Sequence, residues 1–204
     1  MKSVLISIQP YWVFLIIAKA MGWKIDKEKT IELRTTRPRD KNWNSWVEIY
    51  CSKNKKSFNQ IPKEYQALMQ RCLGKVVGKW FCNKIDSYVA HEDNKDYWDL
   101  SVKEWEDLKQ KSCLTIPQIL DYSEHSDNLY GWHISDLKIY DKPKELSEFY
   151  SAKCDMPCEN KKRGFNMDFC MAYENGSHFC KELICEKKRL SRPPQSWCYI
   201  ESGV

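Results

Sequence analysis

Apolar and polar positions alternate over residues 4–9, which predicts a strand whose second face carries Ser7 and Gln9. Pro10 ends that strand and suits the first turn of a helix. Trp12, Leu15, Ile16 and Lys19 then recur at helical spacing, so a short and largely apolar helix is expected before Gly22. Residues 30–34 alternate again, with Ile31 and Leu33 on one face and Thr30, Glu32 and Arg34 on the other. A third strand is predicted over 46–51, followed by a basic turn from Lys53 to Lys56. Residues 62–73 read as a helix with Tyr65, Leu68, Met69 and Cys72 as its buried stripe, capped by Gly74. One long strand is expected over 75–88, acidic loops and short helices over 91–123, and a further strand over 129–140 with Tyr130, Trp132 and Ile134 on one face. Pro193 and Pro194 lead rigidly into a last apolar strand. Strands separated by short helices, without strict βαβ repeats, predict an α+β fold: a small mixed β-barrel with short flanking helices.

Composition narrows this picture. The 204 residues suit one domain of ordinary size, and 42% hydrophobic against 30% charged residues permits a packed core. Only 7 glycines accompany 27 aromatic residues (Trp 9, Tyr 11, Phe 7), which disfavours Gly-rich low-complexity and dinucleotide-binding readings. A net charge of +5 allows an anionic partner without requiring one. The apolar run at the start is interrupted by Ser7, Gln9 and Pro10, so neither a signal peptide nor a membrane span is expected, and the expected location is cytoplasmic.

Of the 10 cysteines, Cys51, Cys72, Cys82 and Cys113 sit in regular segments and read as small buried hydrophobes. The other six crowd after residue 150, where periodicity fades and basic clusters appear. The chain is accordingly divided into a barrel over 1–152, a Cys-rich basic insertion over 153–192 and a returning strand over 193–204. In a reducing compartment such a cluster points to zinc or to unligated thiols, with disulfides as the alternative. Cys154, Cys158, Cys180 and Cys185 would form a four-thiolate structural zinc site, with Cys170 and His178 as competing ligands. The four histidines, His91, His125, His133 and His178, have no triad or metal spacing, and only His133 is placed on a strand near the cleft described next.

Ser7-Ile8-Gln9-Pro10, a helix, and then Lys29-x-x-Glu32-x-Arg34 resemble the signature of the ASCH domain, a branch of the PUA-like β-barrel superfamily. The family's leading glycine is replaced by Lys27, and a basic residue often stands where this chain has Gln9. Gly74–Gly78, Gly131–Ile134 and Pro193–Trp197 are similar to the family's later strands, so the resemblance covers roughly 1–149 and 193–200. It implies RNA binding or, in the hydrolase branch, removal of the acyl group from N(4)-acetylcytidine; other relatives are described as ribonucleases. That branch implies a threonine at the position of Glu32 and a glutamate upstream of a Leu-Thr helix, whereas Lys111-Ser112-Cys113 precede Leu114-Thr115 here.

The residues themselves point to a site. Glu32 and Arg34 are same-face neighbours about 7 Å apart, and Lys29 sits at the mouth of their strand. Such a group offers donors to a phosphate or a base edge and one acceptor to an amino group. The bland alternative is a solvated salt bridge that fixes a strand end. The expected ligand is RNA or a nucleotide-like molecule in a cleft between the first helix and the barrel, lined by Ser7, Gln9, Lys29, Glu32 and Arg34, with Trp43 contributing a stacking ring. If the chain is an enzyme, Lys29 and Glu32 are its catalytic candidates. Arg37, Arg39, Lys41 and Trp46 extend a basic and aromatic series, although Trp46 and Trp132 read more simply as core.

Overall fold

The computed structural model describes residues 3–40, 43–91, 94–98, 100–123, 126–151 and 190–201. The chain opens with strand β1 (Ser3–Ile8) and helix α1 (Pro10–Ile17), with Pro10 in the first helical turn. Val13, Phe14, Leu15, Ile16 and Ile17 are all buried, as a helix that is apolar all round must be. Strand β1 is central. It pairs in parallel with β3 (Ser45–Cys51) and antiparallel with β10 (Trp197–Glu201). Five of its six residues are buried, Ser7 being half-buried, because it has neighbours on both sides and packing on both faces. The alternation read there in the sequence is therefore not an inside–outside alternation.

Strand β2 (Ile31–Arg34) follows α1, and β4 (Lys75–Cys82) follows two short helices, α2 (Lys55–Phe58) and α3 (Lys63–Gln70). In α3, Met69 is fully buried while Leu68 is 45% exposed, so its apolar stripe is narrower than expected. The long strand expected over 75–88 breaks after Cys82, and the chain continues as β5 (Ile85–His91) and β6 (Asn94–Trp98). The strand expected over 129–140 likewise divides at Ile134 into β7 (Asn128–His133) and β8 (Ser135–Glu145). At each break the chain changes sheet. One sheet has the order β8-β4-β3-β1-β10-β9, where β9 is Tyr150–Ser151, and the other β2-β7-β5-β6. The fold is α+β with short helices, and among the described residues the ladders form two sheets rather than one closed barrel.

The main core draws on both sheets and on α1: Val4, Ile6 and Ile8, Val47 and Ile49, Trp80, and Trp132 of β7. Helices α4 (Val102–Ser112) and α5 (Ile116–Tyr122) pack Leu108 and Ile119 against Ile31, Leu33 and Leu129 of the smaller sheet. Both begin with a reciprocal capping box, Ser101 with Glu104 and Thr115 with Gln118. A third cluster, Leu5, Tyr50, Val76, Phe149 and Ile200, covers part of the other face of the six-stranded sheet. Cys51 and Cys82 are fully buried, as expected, and burial pushes the Cys82 thiol up to about 12, while Cys72 and Cys113 are half-buried. No helix among the described residues is long and apolar enough to cross a membrane. Cys154, Cys158, Cys180 and Cys185 lie outside the described residues.

Two positions in the larger sheet carry predictions. At Gly78 a Cβ would stand 2.4 Å from the Lys138 carbonyl oxygen and 3.0 Å from Ile139 Cα, so β8 approaches only because no side chain intervenes. Gly78→Ala is expected to cost about 1–3 kcal/mol, read as a lowered urea midpoint. Glu48 is buried and accepts a 2.6 Å hydrogen bond from the Tyr140 hydroxyl. Burial raises its carboxyl above the ordinary range, against that hydrogen bond and the charges of Lys79 and Lys144. A raised acid loses folding stability as pH rises above its unfolded value, because the unfolded chain ionises first. Glu48→Gln should therefore match the parent in acid and exceed it in stability by pH 7, as measured by denaturation at a series of pH values.

Candidate ligand site

All four residues of β2 are buried, but for two different reasons. Ile31 and Leu33 pack under α4 and α5. Glu32 and Arg34 stand opposite Trp132 and Tyr130 of β7, and antiparallel partners share a face, so both point toward the main core. The expectation set them on a face turned toward the first helix or solvent; in the structure that face is buried. Lys29, Glu32 and Arg34 are only 3%, 4% and 6% exposed, which excludes a solvated surface salt bridge. Ionic side chains can be held at such depth only if they neutralise one another and find hydrogen bonds.

They do so in large part. Arg34 Nη1 donates to Glu32 Oε1 and to the Leu33 carbonyl, and Nη2 donates to the Ser7 carbonyl of β1 at 2.7 Å. The guanidinium thus ties the two sheets together. Lys29 Nζ donates to the Ser112 carbonyl at the end of α4 (2.7 Å), lies 3.3 Å from Glu32 Oε2 and sits 5.5 Å from the centre of the Trp12 ring. A backbone hydrogen bond from Thr30 to the Lys111 carbonyl holds the strand entrance to the same helix end. Burial alone would raise the Glu32 carboxyl, but the two cations beside it hold it below the ordinary carboxylate range. Burial pulls the Lys29 ammonium below its ordinary value, with Glu32 opposing.

These three side chains line a cavity of about 620 Å³. Ser7, Gln9 and Trp12 reach it from the β1–α1 junction, Ser52, Asn54 and Lys56 from the segment after β3. Gln118, Asp121 and Tyr122 come from α5, and Gln195 and Ser196 from the lead-in to β10. The lining is dominated by amides and hydroxyls, with two aromatic rings. Among its lining residues, Arg34 Nε and Ser52 Oγ are buried without a hydrogen-bond partner, and Glu32 Oε2 has only the Lys29 ammonium beside it at 3.3 Å. A guanidinium donor and a hydroxyl of two lining residues are thus unused.

No family model and no curated protein matches the sequence. Solved structures do match in shape. The ASCH protein of Zymomonas mobilis aligns over 98% of this chain and 88% of its own, at 15% identity and a TM-score of 0.48. A Tyr-to-Phe variant of that protein aligns with a TM-score of 0.50 at 14% identity, covering 98% of this chain and 91% of its own. A Ser-to-Ala variant gives 0.50 and 14%, covering 98% and 89%. The fold is that of an ASCH domain.

In this ASCH fold the Lys29-x-x-Glu32-x-Arg34 motif forms β2 and the residues leading into it, and it faces the cavity together with Ser7 and Gln9. Trp43 does not join them. It packs edge-on against Trp132 with ring centres 5.4 Å apart, beside the main core. The basic and aromatic series after Arg34 also disperses: Arg37 lies over Tyr130, Trp46 belongs to the six-stranded sheet, and Lys41 is outside the described residues. His133 does not line the cavity and instead meets Asp86 of β5 at 2.6 Å. Residues that the sequence did not single out complete the cavity. In the sequence Trp12 reads only as part of a helix face, and Tyr122, whose side chain hydrogen-bonds with Arg34, has no neighbouring motif. The one usable signal was Asn54-Lys55-Lys56-Ser57, where the Asn54 side chain caps α2 by accepting from the Ser57 N–H.

Proposed function

We propose that this cavity binds RNA or a nucleotide-like ligand, with Lys29, Glu32 and Arg34 making the polar contacts and Ser7 and Gln9 at its wall. The observation that carries the reading is a buried ionic cluster lining one cavity, two of whose lining residues hold a polar atom, Arg34 Nε and Ser52 Oγ, without a hydrogen-bond partner. Leaving each unpaired costs about 1–3 kcal/mol, which a ligand with matching groups recovers. A nucleobase edge presents hydrogen-bond donors and acceptors side by side, matching a carboxylate next to a guanidinium. Trp12 and Tyr122 offer rings for stacking. Two cations against one carboxylate leave the triad with a surplus positive charge that favours an anionic ligand, while Lys56 and Asp121 add one charge of each sign at the wall. In an NMR titration with single-stranded RNA over a salt series, shifts should concentrate at β2, α1 and α5. Affinity should weaken at least about tenfold in Glu32→Gln, a change worth about 1.4 kcal/mol. Unchanged spectra at low salt overturn the proposal.

A second reading rests on Lys29, whose burial favours the neutral amine that a nucleophile or base needs. Although no carboxylate precedes Leu114, Asp121 lines the same cavity. On this reading the chain hydrolyses N(4)-acetylcytidine or RNA. Incubation with both substrates should show turnover that Lys29→Ala abolishes, and no turnover by the parent chain leaves binding alone.

A further inference from the structure

Six residues before Ser52 along the third strand stands Trp46, about 20 Å from the cavity wall along β3. Trp46 and Glu48 share the face of β3 opposite Val47 and Ile49. Trp46 pairs in register with Phe81, Glu48 with Lys79, and Lys79 with Lys138 of β8. Two lysines directly opposite each other on adjacent strands repel. Here they also converge, with Lys79 Nζ 4.8 Å and Lys138 Nζ 4.7 Å from the centre of the Trp46 ring. The indole takes up part of that charge. Neither ammonium has a carboxylate within ion-pair distance among the described residues, whereas Lys75 on the same strand is paired with Glu145. Glu48, the acid on this face, is buried and already engaged by the Tyr140 hydroxyl. Lys144 continues the pattern on β8, its Nζ lying 4.4 Å from the centre of the Tyr140 ring.

We propose that Trp46, Lys79 and Lys138 form a second anion site that holds the phosphate backbone of single-stranded nucleic acid. The proposal extends the cavity reading above, since the same strand would place a base in the cavity and a few nucleotides further on meet the lysines. A patch of side chains on the face of the sheet fits this partner better than an acidic peptide. Trp46 and Lys79 stand on β3 and β4, which are each paired on both sides and offer a ligand side chains only, and Lys138 of the edge strand β8 joins them through its side chain over the Trp46 ring. Lysine ammoniums act as point charges that accept a phosphate in any register.

The test compares the parent chain with the Lys79→Gln/Lys138→Gln double variant, using an oligouridylate of about 12 nucleotides and uridine monophosphate as probes. Each phosphate contact to a single strand contributes about 0.7 to the slope of log affinity against log salt. The variant should therefore bind the oligonucleotide with a slope shallower by about 1.4 and retain the parent's affinity for the mononucleotide. Circular dichroism and the urea midpoint verify that it is folded. An unchanged slope overturns the second site, as does failure of the parent chain to bind the oligonucleotide at low salt. A polyglutamate bound as tightly as the oligonucleotide, and lost in the same variant, overturns the nucleic-acid assignment. Failure of the cavity reading looks different: mononucleotide binding is then absent or indifferent to Glu32→Gln, while the lysine-dependent slope persists.

Discussion

Glu32→Ala should destabilise the protein by roughly 3–5 kcal/mol, the usual cost of removing one partner from a buried ionic group. The loss leaves Lys29 and Arg34 facing each other at 3% and 6% exposure with no carboxylate between them. Chemical denaturation at neutral pH should show it, with a fall in Tm of roughly 6–20 °C for a chain of this size. Glu32→Gln retains a carbonyl acceptor and should lose less. The sign of the pH dependence follows from the depressed Glu32 carboxyl. The stability it contributes is fully present above its unfolded value, near 4.5, and disappears as pH falls through the lower folded value. The gap between parent and Glu32→Gln should accordingly narrow in acid, and a gap independent of pH would show that Glu32 is not ionised in the folded state.

Trp132→Ala is expected to cost about 3–5 kcal/mol, because the side chain is fully buried where the two sheets meet. Its ring lies 5.4 Å from that of Trp43 and 5.6 Å from that of Trp197, and its backbone registers with both Glu32 and Ile85. The vacated space would lie on the face of β7 that supports the ionic cluster. Trp132→Phe separates packing from polarity. The indole Nε1 has no hydrogen-bond partner, so phenylalanine sacrifices volume but no hydrogen bond and should cost distinctly less. Guanidinium denaturation of the two variants decides, with equal losses counting against this account. Combined with Glu32→Ala the effects should not add, since the residues are cross-strand neighbours.

Much of the fold was legible wherever local chemistry leaves a local trace. Pro10 opening α1, the four-residue alternation of β2 and Gly74 with φ +75° after α3 all follow from backbone preferences of a few consecutive residues. The sheet changes at residues 83–84 and 134 were not legible, because an extended chain that passes from one sheet to another keeps its β-type composition throughout. The same holds for the cavity. Its motif residues occupy six consecutive positions, and their grouping could be read from strand geometry. Their depth could not, because it depends on the Ser7 and Ser112 carbonyls, which arrive from 27 and 83 residues away. Polar residues such as Ser52, Gln118 and Gln195 look like ordinary surface positions until the long-range packing is known. Trp43 misled for the converse reason: a tryptophan beside arginines suits stacking on a base as well as it suits a core.

The pairing of β9 with β10 has a practical corollary. Ser151 stands opposite Ile200, and the Leu190 N–H donates to the Phe149 carbonyl at 2.9 Å. The chain therefore departs from the edge of the six-stranded sheet and rejoins it at one clasped stem. That stem is a natural splice point, where a short turn or a foreign module can be grafted while the strands on either side keep their register.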